Sequence, residues 1–220
     1  MNKYDTLISG LSSDLKPVSP PPNINRLALV WCLLSAVYVV VVTHLIDPIR
    51  PGAISQLGSE PRFLLETMLG VAAIIWFSLL AFRSAIPAAL TRQFAIAGVV
   101  LMTLWLLQYV IGFVSPALDP SKLGKRDHCY IETMVYSLPV ILTGLFLVRR
   151  LYPLGFVRTA MSVSLVAGML PALYMQLACM YAPAHILSFH ILPGLLMVAV
   201  GAGIAVWWRS RDPVLASEYL

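Results

Sequence analysis

The sequence predicts an all-α membrane protein, in which a short amphipathic N-terminal helix on the cytoplasmic side precedes a bundle of six transmembrane helices. Three observations predict this fold class. Charged residues make up only 11% of the chain, whereas soluble domains carry about 25%. The mean hydropathy is +0.83, and the apolar residues form six long runs separated by short polar joints. These runs are continuous rather than alternating, which argues against a transmembrane β-barrel.

Residues 1–26 form the only extramembrane tail of appreciable length. Its apolar residues recur at helical spacing and predict a short amphipathic helix, whose stripe contains Leu7, Ile8, Leu11 and Leu15. A proline-rich stretch at 16–22 follows and predicts an extended, semi-rigid spacer. We interpret the stripe as a docking site for a partner protein. The alternatives are a frayed tail or a helix lying on the lipid surface. The small number of basic residues in the tail argues against the lipid-bound helix.

The six apolar runs are each long enough to cross a hydrocarbon core of about 30 Å. We place the spans at 27–46, 62–82, 93–114, 129–148, 157–180 and 187–208. Residues 27–208 therefore form the transmembrane domain, and 209–220 form a short cytoplasmic C-terminal tail. Lipid offers the backbone no hydrogen-bond partners, so each span must be helical. The first run exceeds the apolar region of a usual signal peptide, and we expect it to remain as a membrane helix.

The distribution of lysine and arginine predicts the orientation in the membrane. With the N-terminus inside, ten of the 15 basic residues fall on the inner side and the other five on the outer side. This excess places both termini in the cytoplasm. The net charge of +5 is thus explained by topology, and we expect contact with the lipid bilayer but no direct binding of nucleic acid. The outer five are Arg50, Arg62, Lys122, Lys125 and Arg126.

Cys129 and Cys179 are the strongest indication of function. Cys129 opens the fourth span and Cys179 ends the fifth, and consecutive spans with a short joint are usually antiparallel neighbours. Both thiols should therefore lie close together at the outer face, where a disulfide can persist. They are candidates for redox sensing or for capture of a soft metal. An inert structural bridge and plain packing remain alternatives, and Cys32, near the inner side, is expected only to pack.

Further polar residues cluster near the same outer face. His128, Glu132 and His190 are additional candidate metal ligands. His185 and His190 are five residues apart, which in a regular α-helix places them on different faces. Glu66 and Glu132 lie about one turn inside their helices, and either face protein or reach outer water by snorkelling.

No catalytic motif is found in the sequence: it has no phosphate-binding loop, no HExxH, no GxSxG and no CxxC. We therefore expect a protein that is not an enzyme. A small transporter or metal-efflux protein is the alternative function, although polar or broken helices at the membrane midplane, which mark many transporters, are not evident.

Several features together resemble a known family. They are the leucine-bearing tail with its proline at 7–18, the six spans with a cysteine opening the fourth, and the Arg-Arg-Leu-Tyr-Pro joint at 149–153 before a span ending Leu-Ala-Cys at 177–179. In these the chain is similar to the negative-regulator-of-sigma-F family of bacterial inner-membrane anti-sigma factors. One departure is that Met180 and Tyr181 follow the second cysteine, where the family pattern often has proline and an acidic residue.

The resemblance implies a function and a partner. A member of this family would hold an extracytoplasmic-function sigma factor inactive at the inner membrane. Cys129 and Cys179 would sense a heavy metal or an oxidant and trigger release, so no cofactor is obligatory and a heavy-metal ion would bind only transiently. Because the acidic residue is missing after Cys179, a metal site that relies on it is not expected here, whereas a response of the thiols themselves is.

Overall fold

The computed structural model describes residues 3–13 and 23–211. Within these residues all the regular secondary structure is helical, and no strand occurs. The helices, in chain order, are α1 Lys3–Ser13, α2 Ile24–Ile46, α3 Ala53–Ser59, α4 Pro61–Arg83, α5 Arg92–Ile111, α6 Cys129–Arg149, α7 Phe156–Ala178, α8 Pro183–His185 and α9 Leu192–Arg211, with a π-helical segment, Ile186–Ile191, joining α8 to α9.

Among the described residues, six helices are long and apolar enough to cross a membrane, which confirms the predicted fold class. They are α2, α4, α5, α6, α7 and the continuous stretch Pro183–Arg211, which we call the sixth span. Local signals explain where several of them begin. The side chains of Asn23 and Thr91 cap α2 and α5 by accepting a hydrogen bond from a first-turn N–H, and Pro61 begins α4, where a proline costs no hydrogen bond.

The observed boundaries differ from the predicted ones at several span ends. The first span begins at Ile24 rather than at 27, the third ends at Ile111 rather than at 114, and the sixth runs from Pro183 to Arg211 rather than from 187 to 208. The loop after the first span contains a short helix, α3, that the sequence pattern did not predict. The predicted proline-rich spacer and the end of the C-terminal tail lie outside the described residues.

Helix α7 forms the centre of the bundle. In its most apolar stretch 72% of the residues are buried, compared with 22% in α5. It packs against α2, α4, α6 and α9, whereas α5 packs mainly against α4. Helix α7 is therefore in contact with four of the other five spans.

Two glycines bring the backbones of α7 and α9 into close contact. A Cβ atom built on Gly194 would lie 2.6 Å from the carbonyl oxygen of Gly168, and one built on Gly168 would overlap the backbone of Gly194. Two turns further along, a Cβ on Gly201 would collide with Ser164. Small residues of this kind let membrane helices pack backbone to backbone.

The substitution Gly168→Ala is expected to destabilise the bundle by about 1–3 kcal/mol, the usual cost of overpacking, because backbone atoms of α9 must move to admit the methyl group. The melting temperature of the full-length protein in detergent measures this. Gly203→Ala is the matched control, since a Cβ added to Gly203 meets nothing within 4 Å. Equal melting temperatures for the two variants would contradict the close contact.

One end of the bundle is rich in arginine stacked on aromatic rings, and we call it the basic end. The guanidinium of Arg83 lies 4.2 Å from the ring centre of Phe94, and that of Arg149 lies 4.7 Å from the ring centre of Trp208. Amphipathic aromatic and basic side chains favour the membrane–water boundary. The opposite end contains the beginning of α6 and the end of α7.

Candidate functional site

Two cysteines lie side by side at the end of the bundle opposite the basic end, and we call this the thiol end. Cys129 is the first residue of α6, and Cys179 follows the last residue of α7. Both side chains are buried and both thiols are free. Helices α6 and α7 pack together along their length, so the structure brings these two residues to the same place, as their positions in the sequence predicted.

Two histidines of the sixth span complete a cluster around the thiols. The Nε2 atom of His185 lies 3.4 Å from the Sγ atom of Cys129 and 3.4 Å from that of Cys179. His190 is fully buried, and its ring centre lies 5.0 Å from that of His185. One ligand atom from each of the four residues falls within 4.8 Å of the others. We call these four residues the Cys/His cluster.

The π-helical segment is what brings the two histidines together. In such a segment the backbone hydrogen bonds join residues five apart, as the bond from Leu192 N–H to the carbonyl of Leu187 shows. The expectation that His185 and His190 point to different faces, which holds for a regular α-helix, is therefore wrong. The signal in the sequence is Pro193, because a proline lacks the N–H for an α-helical bond and crowds the carbonyl four residues earlier.

The donor set of the cluster fits a metal ion of the zinc type. Two thiolates and two imidazoles in a tetrahedral arrangement are typical of zinc and of other soft or borderline cations. His190 provides the structural test of this fit. Neither of its ring nitrogens has a hydrogen-bond partner among the described residues, although a buried polar atom usually has one.

Two further candidates from the sequence, His128 and Glu132, lie outside the cluster. Glu132 instead accepts a hydrogen bond of 2.9 Å from Nε of Arg126, and His128 is exposed just before α6. Arg126 is buried and also donates to the carbonyl of Asp47 at 2.9 Å. It therefore ties the end of α2 to the beginning of α6, where Cys129 lies.

A buried polar network adjoins the cluster, and the sequence pattern did not reveal it. The hydroxyl of Tyr181, two residues after Cys179, donates to Glu66 at 2.9 Å. Tyr109 of α5 donates to the side-chain oxygen of Gln176 in α7 at 2.6 Å. Glu66 is only 2% exposed, so it faces protein and does not snorkel to water. Burial and the Glu66 carboxyl raise the pKa of Tyr181, which therefore stays a neutral donor.

Arg50 places a positive charge beside Cys179. Its backbone N–H donates to the carbonyl of Ala178 at 3.1 Å, and its guanidinium lies 5.7 Å from the ring centre of Phe63. Burial lowers the pKa of Arg50, and attraction to Tyr181 and Cys179 opposes this shift. Within the described part of the chain, its Nε and Nη2 atoms have no hydrogen-bond partner.

The predicted amphipathic helix is present as α1, ahead of the first span. Its apolar side chains are largely exposed, with Leu7 at 60% and Ile8 at 63%. The side chain of Leu11 and the whole of Leu15 lie outside the described residues. Exposed leucine and isoleucine on a short helix are typical of a surface that binds a partner.

Within the described residues, six apolar spans, a buried Cys/His cluster at one end and an exposed apolar helix before the first span define the class of this protein as a multi-span membrane protein. Comparison with known families goes one step further.

Residues 11–208 match the family described as negative regulator of sigma F, and the chain belongs to this family. The comparisons with curated proteins and with solved structures gave no match. The family description implies negative regulation of a sigma factor, which agrees with the resemblance seen in the sequence.

Proposed function

We propose that this protein is an inner-membrane anti-sigma factor that sequesters an extracytoplasmic-function sigma factor and releases it when Cys129 and Cys179 react with a heavy metal or an oxidant. The observation that carries this proposal is the meeting of two buried thiols from different helices, α6 and α7, beside the Nε2 atom of His185. A pair of thiols held in this way can be bridged by one metal ion or one disulfide bond.

The orientation that this function needs is supported by the charges. The basic end contains Arg83, Arg149 and the two arginines at the end of α9. Cytoplasmic ends of membrane helices carry such an excess of basic residues. The thiol end then faces the periplasm, where disulfides persist, and α1 and both termini lie in the cytoplasm, where the sigma factor is found.

Both kinds of signal act on the same two sulfur atoms. A soft cation binds the thiolates and displaces their protons. In oxidation, the two thiols lose two protons and two electrons and form one S–S bond, and one hydrogen peroxide is reduced to two waters. Either event draws α6 and α7 together at the thiol end. Because α7 packs against four other spans, the change reaches the basic end and lowers the affinity of α1 for its partner.

The substitutions Cys129→Ser and Cys179→Ser are each expected to abolish signal-induced release without preventing sequestration. The full-length protein and its sigma factor are co-purified in detergent, and the sigma factor that remains bound is measured after addition of Cd²⁺ or hydrogen peroxide. Wild type is expected to lose most of its partner, because release needs a bias of a few kcal/mol between the two states, which two metal–thiolate bonds can supply.

The control for this experiment is Cys32→Ser, which removes a buried thiol in α2 that is not part of the Cys/His cluster. It should respond to Cd²⁺ and peroxide as wild type does. Release that persists in the Cys129→Ser and Cys179→Ser variants would contradict sensing by the pair.

A further inference from the structure

We propose that Cys129, Cys179, His185 and His190 together form a four-ligand site for a d¹⁰ cation such as Zn²⁺, Cd²⁺ or Cu⁺. The histidines of the sixth span, and not the cysteines alone, then bind the metal. This inference rests on the thiol pair of the proposed function, but it stands on separate observations and can be tested without a sigma factor.

The first observation is the spacing of the ligand atoms. With metal–sulfur bonds of about 2.3 Å and metal–nitrogen bonds of about 2.0–2.1 Å, neighbouring ligand atoms of a tetrahedral site lie roughly 3.3–3.8 Å apart. The two contacts from His185 Nε2 to the cysteine sulfurs, at 3.4 Å each, already fall in this range. All four ligand atoms lie within 4.8 Å of one another, so the widest edge needs to contract by only about 1 Å.

The second observation is the state of His190. It is fully buried, and neither ring nitrogen finds a hydrogen-bond partner within the described residues. A buried imidazole left in this way loses the hydrogen bonds that water gave it. Coordination to a metal would satisfy one nitrogen. The ring of His185 stacks on Phe189, with the ring centres 4.8 Å apart. This stacking holds the Nε2 atom of His185 toward the two cysteine sulfurs.

The charges of the cluster suit a buried site. Two thiolates balance one divalent cation, and two neutral imidazoles add no charge, so the loaded site is neutral and avoids the penalty of a buried unpaired charge. With Cu⁺ the site carries one negative charge, and the buried guanidinium of Arg50, which is attracted to Cys179, partly offsets it. Sulfur and nitrogen ligands exclude Ca²⁺ and Mg²⁺, which prefer oxygen.

The test is a titration of the reduced, metal-free, full-length protein in detergent with Cd²⁺. Binding is followed by the sulfur-to-cadmium charge-transfer absorption, and bound metal is counted by elemental mass spectrometry. One ion per chain is expected. His185→Ala and His190→Ala should each weaken Cd²⁺ binding by at least about 10–100-fold. Loss of a hydrogen bond that only supports a metal ligand already lowers the metal affinity by this factor, and these substitutions remove the ligand itself.

The matched controls are His128→Ala and Cys32→Ser, which change the same residue types outside the cluster and should leave the affinity unaltered. A second measurement needs no variant: the visible spectrum of the Co²⁺-loaded wild type should show the intense bands of a four-coordinate ion with thiolate ligands. Weak bands of a six-coordinate ion would overturn the four-ligand site.

The outcomes separate this inference from the proposed function. Cd²⁺ affinity that is unchanged in both histidine variants would overturn the four-ligand site and leave sensing by thiols intact. One ion bound through all four residues without any release of the sigma factor would overturn the proposed function and leave the metal site standing.

Discussion

The double substitution Leu7→Asp and Ile8→Asp is expected to abolish co-purification of the sigma factor while the protein stays in the membrane. Both side chains are exposed on α1, at 60% and 63%, so their replacement does not unpack the bundle. In a complex each would bury apolar surface worth about 1.5–3 kcal/mol. Loss of both weakens binding by at least about 100-fold, since 1.4 kcal/mol corresponds to a factor of about ten.

The matched control introduces the same two charges on the polar side of the same helix. Ser9→Asp with Ser13→Asp changes residues whose hydroxyls only donate to carbonyls of α1 itself. This variant should retain the sigma factor. Retention of the partner by the Leu7 and Ile8 variant, with membrane content unchanged, would exclude α1 as the binding element.

Arg126→Ala is expected to destabilise the thiol end by about 3–5 kcal/mol, the usual cost of removing one partner of a buried ion pair. Arg126 is only 3% exposed, and its Nε atom lies 2.9 Å from Oε2 of Glu132. Its loss leaves that carboxylate and the carbonyls of Asp47 and Pro48 without this donor. The melting temperature in detergent should fall, and the Cys129 thiol should react faster with a maleimide.

Lys125→Ala is the control for this effect. It removes a positive charge from the neighbouring position of the same loop, but Lys125 is exposed. The free energy of unfolding should therefore change by less than about 0.5 kcal/mol, and the rate at which the Cys129 thiol reacts should stay the same. Arg126→Lys should rescue only part of the loss, because an ammonium cannot reproduce the fork of hydrogen bonds. Equal melting temperatures for Arg126→Ala and Lys125→Ala would contradict the proposed tie between α2 and α6.

The sequence was sufficient to predict the membrane helices and the meeting of the two cysteines. Continuous apolar runs of about 20 residues have few alternatives to a transmembrane helix. Successive spans cross the membrane in alternating directions. The beginning of α6 and the end of α7 therefore had to lie at the same end of the bundle. The short helix α1 followed from the spacing of Tyr4, Leu7 and Ile8.

The surroundings of the thiols could not be predicted in the same way. His185 joins the cluster only because the backbone between it and His190 is π-helical, and a regular α-helix was assumed. The partners of Glu66 and Arg126 come from elements far away in the chain, such as Tyr181 and the end of α2. Such pairs depend on the three-dimensional arrangement of loops, and residue spacing contains no signal for them.

The contact between Gly168 and Gly194 has a mechanical consequence. Gly194 lies roughly 6 Å along the helix axis from His190 and about 22 Å from Arg209, at about 1.5 Å per residue. The contact of Gly201 with Ser164 is a second tight point farther along the same two helices. Helices α7 and α9 are therefore held against pivoting, and we expect them to move as one unit when the thiol end is displaced.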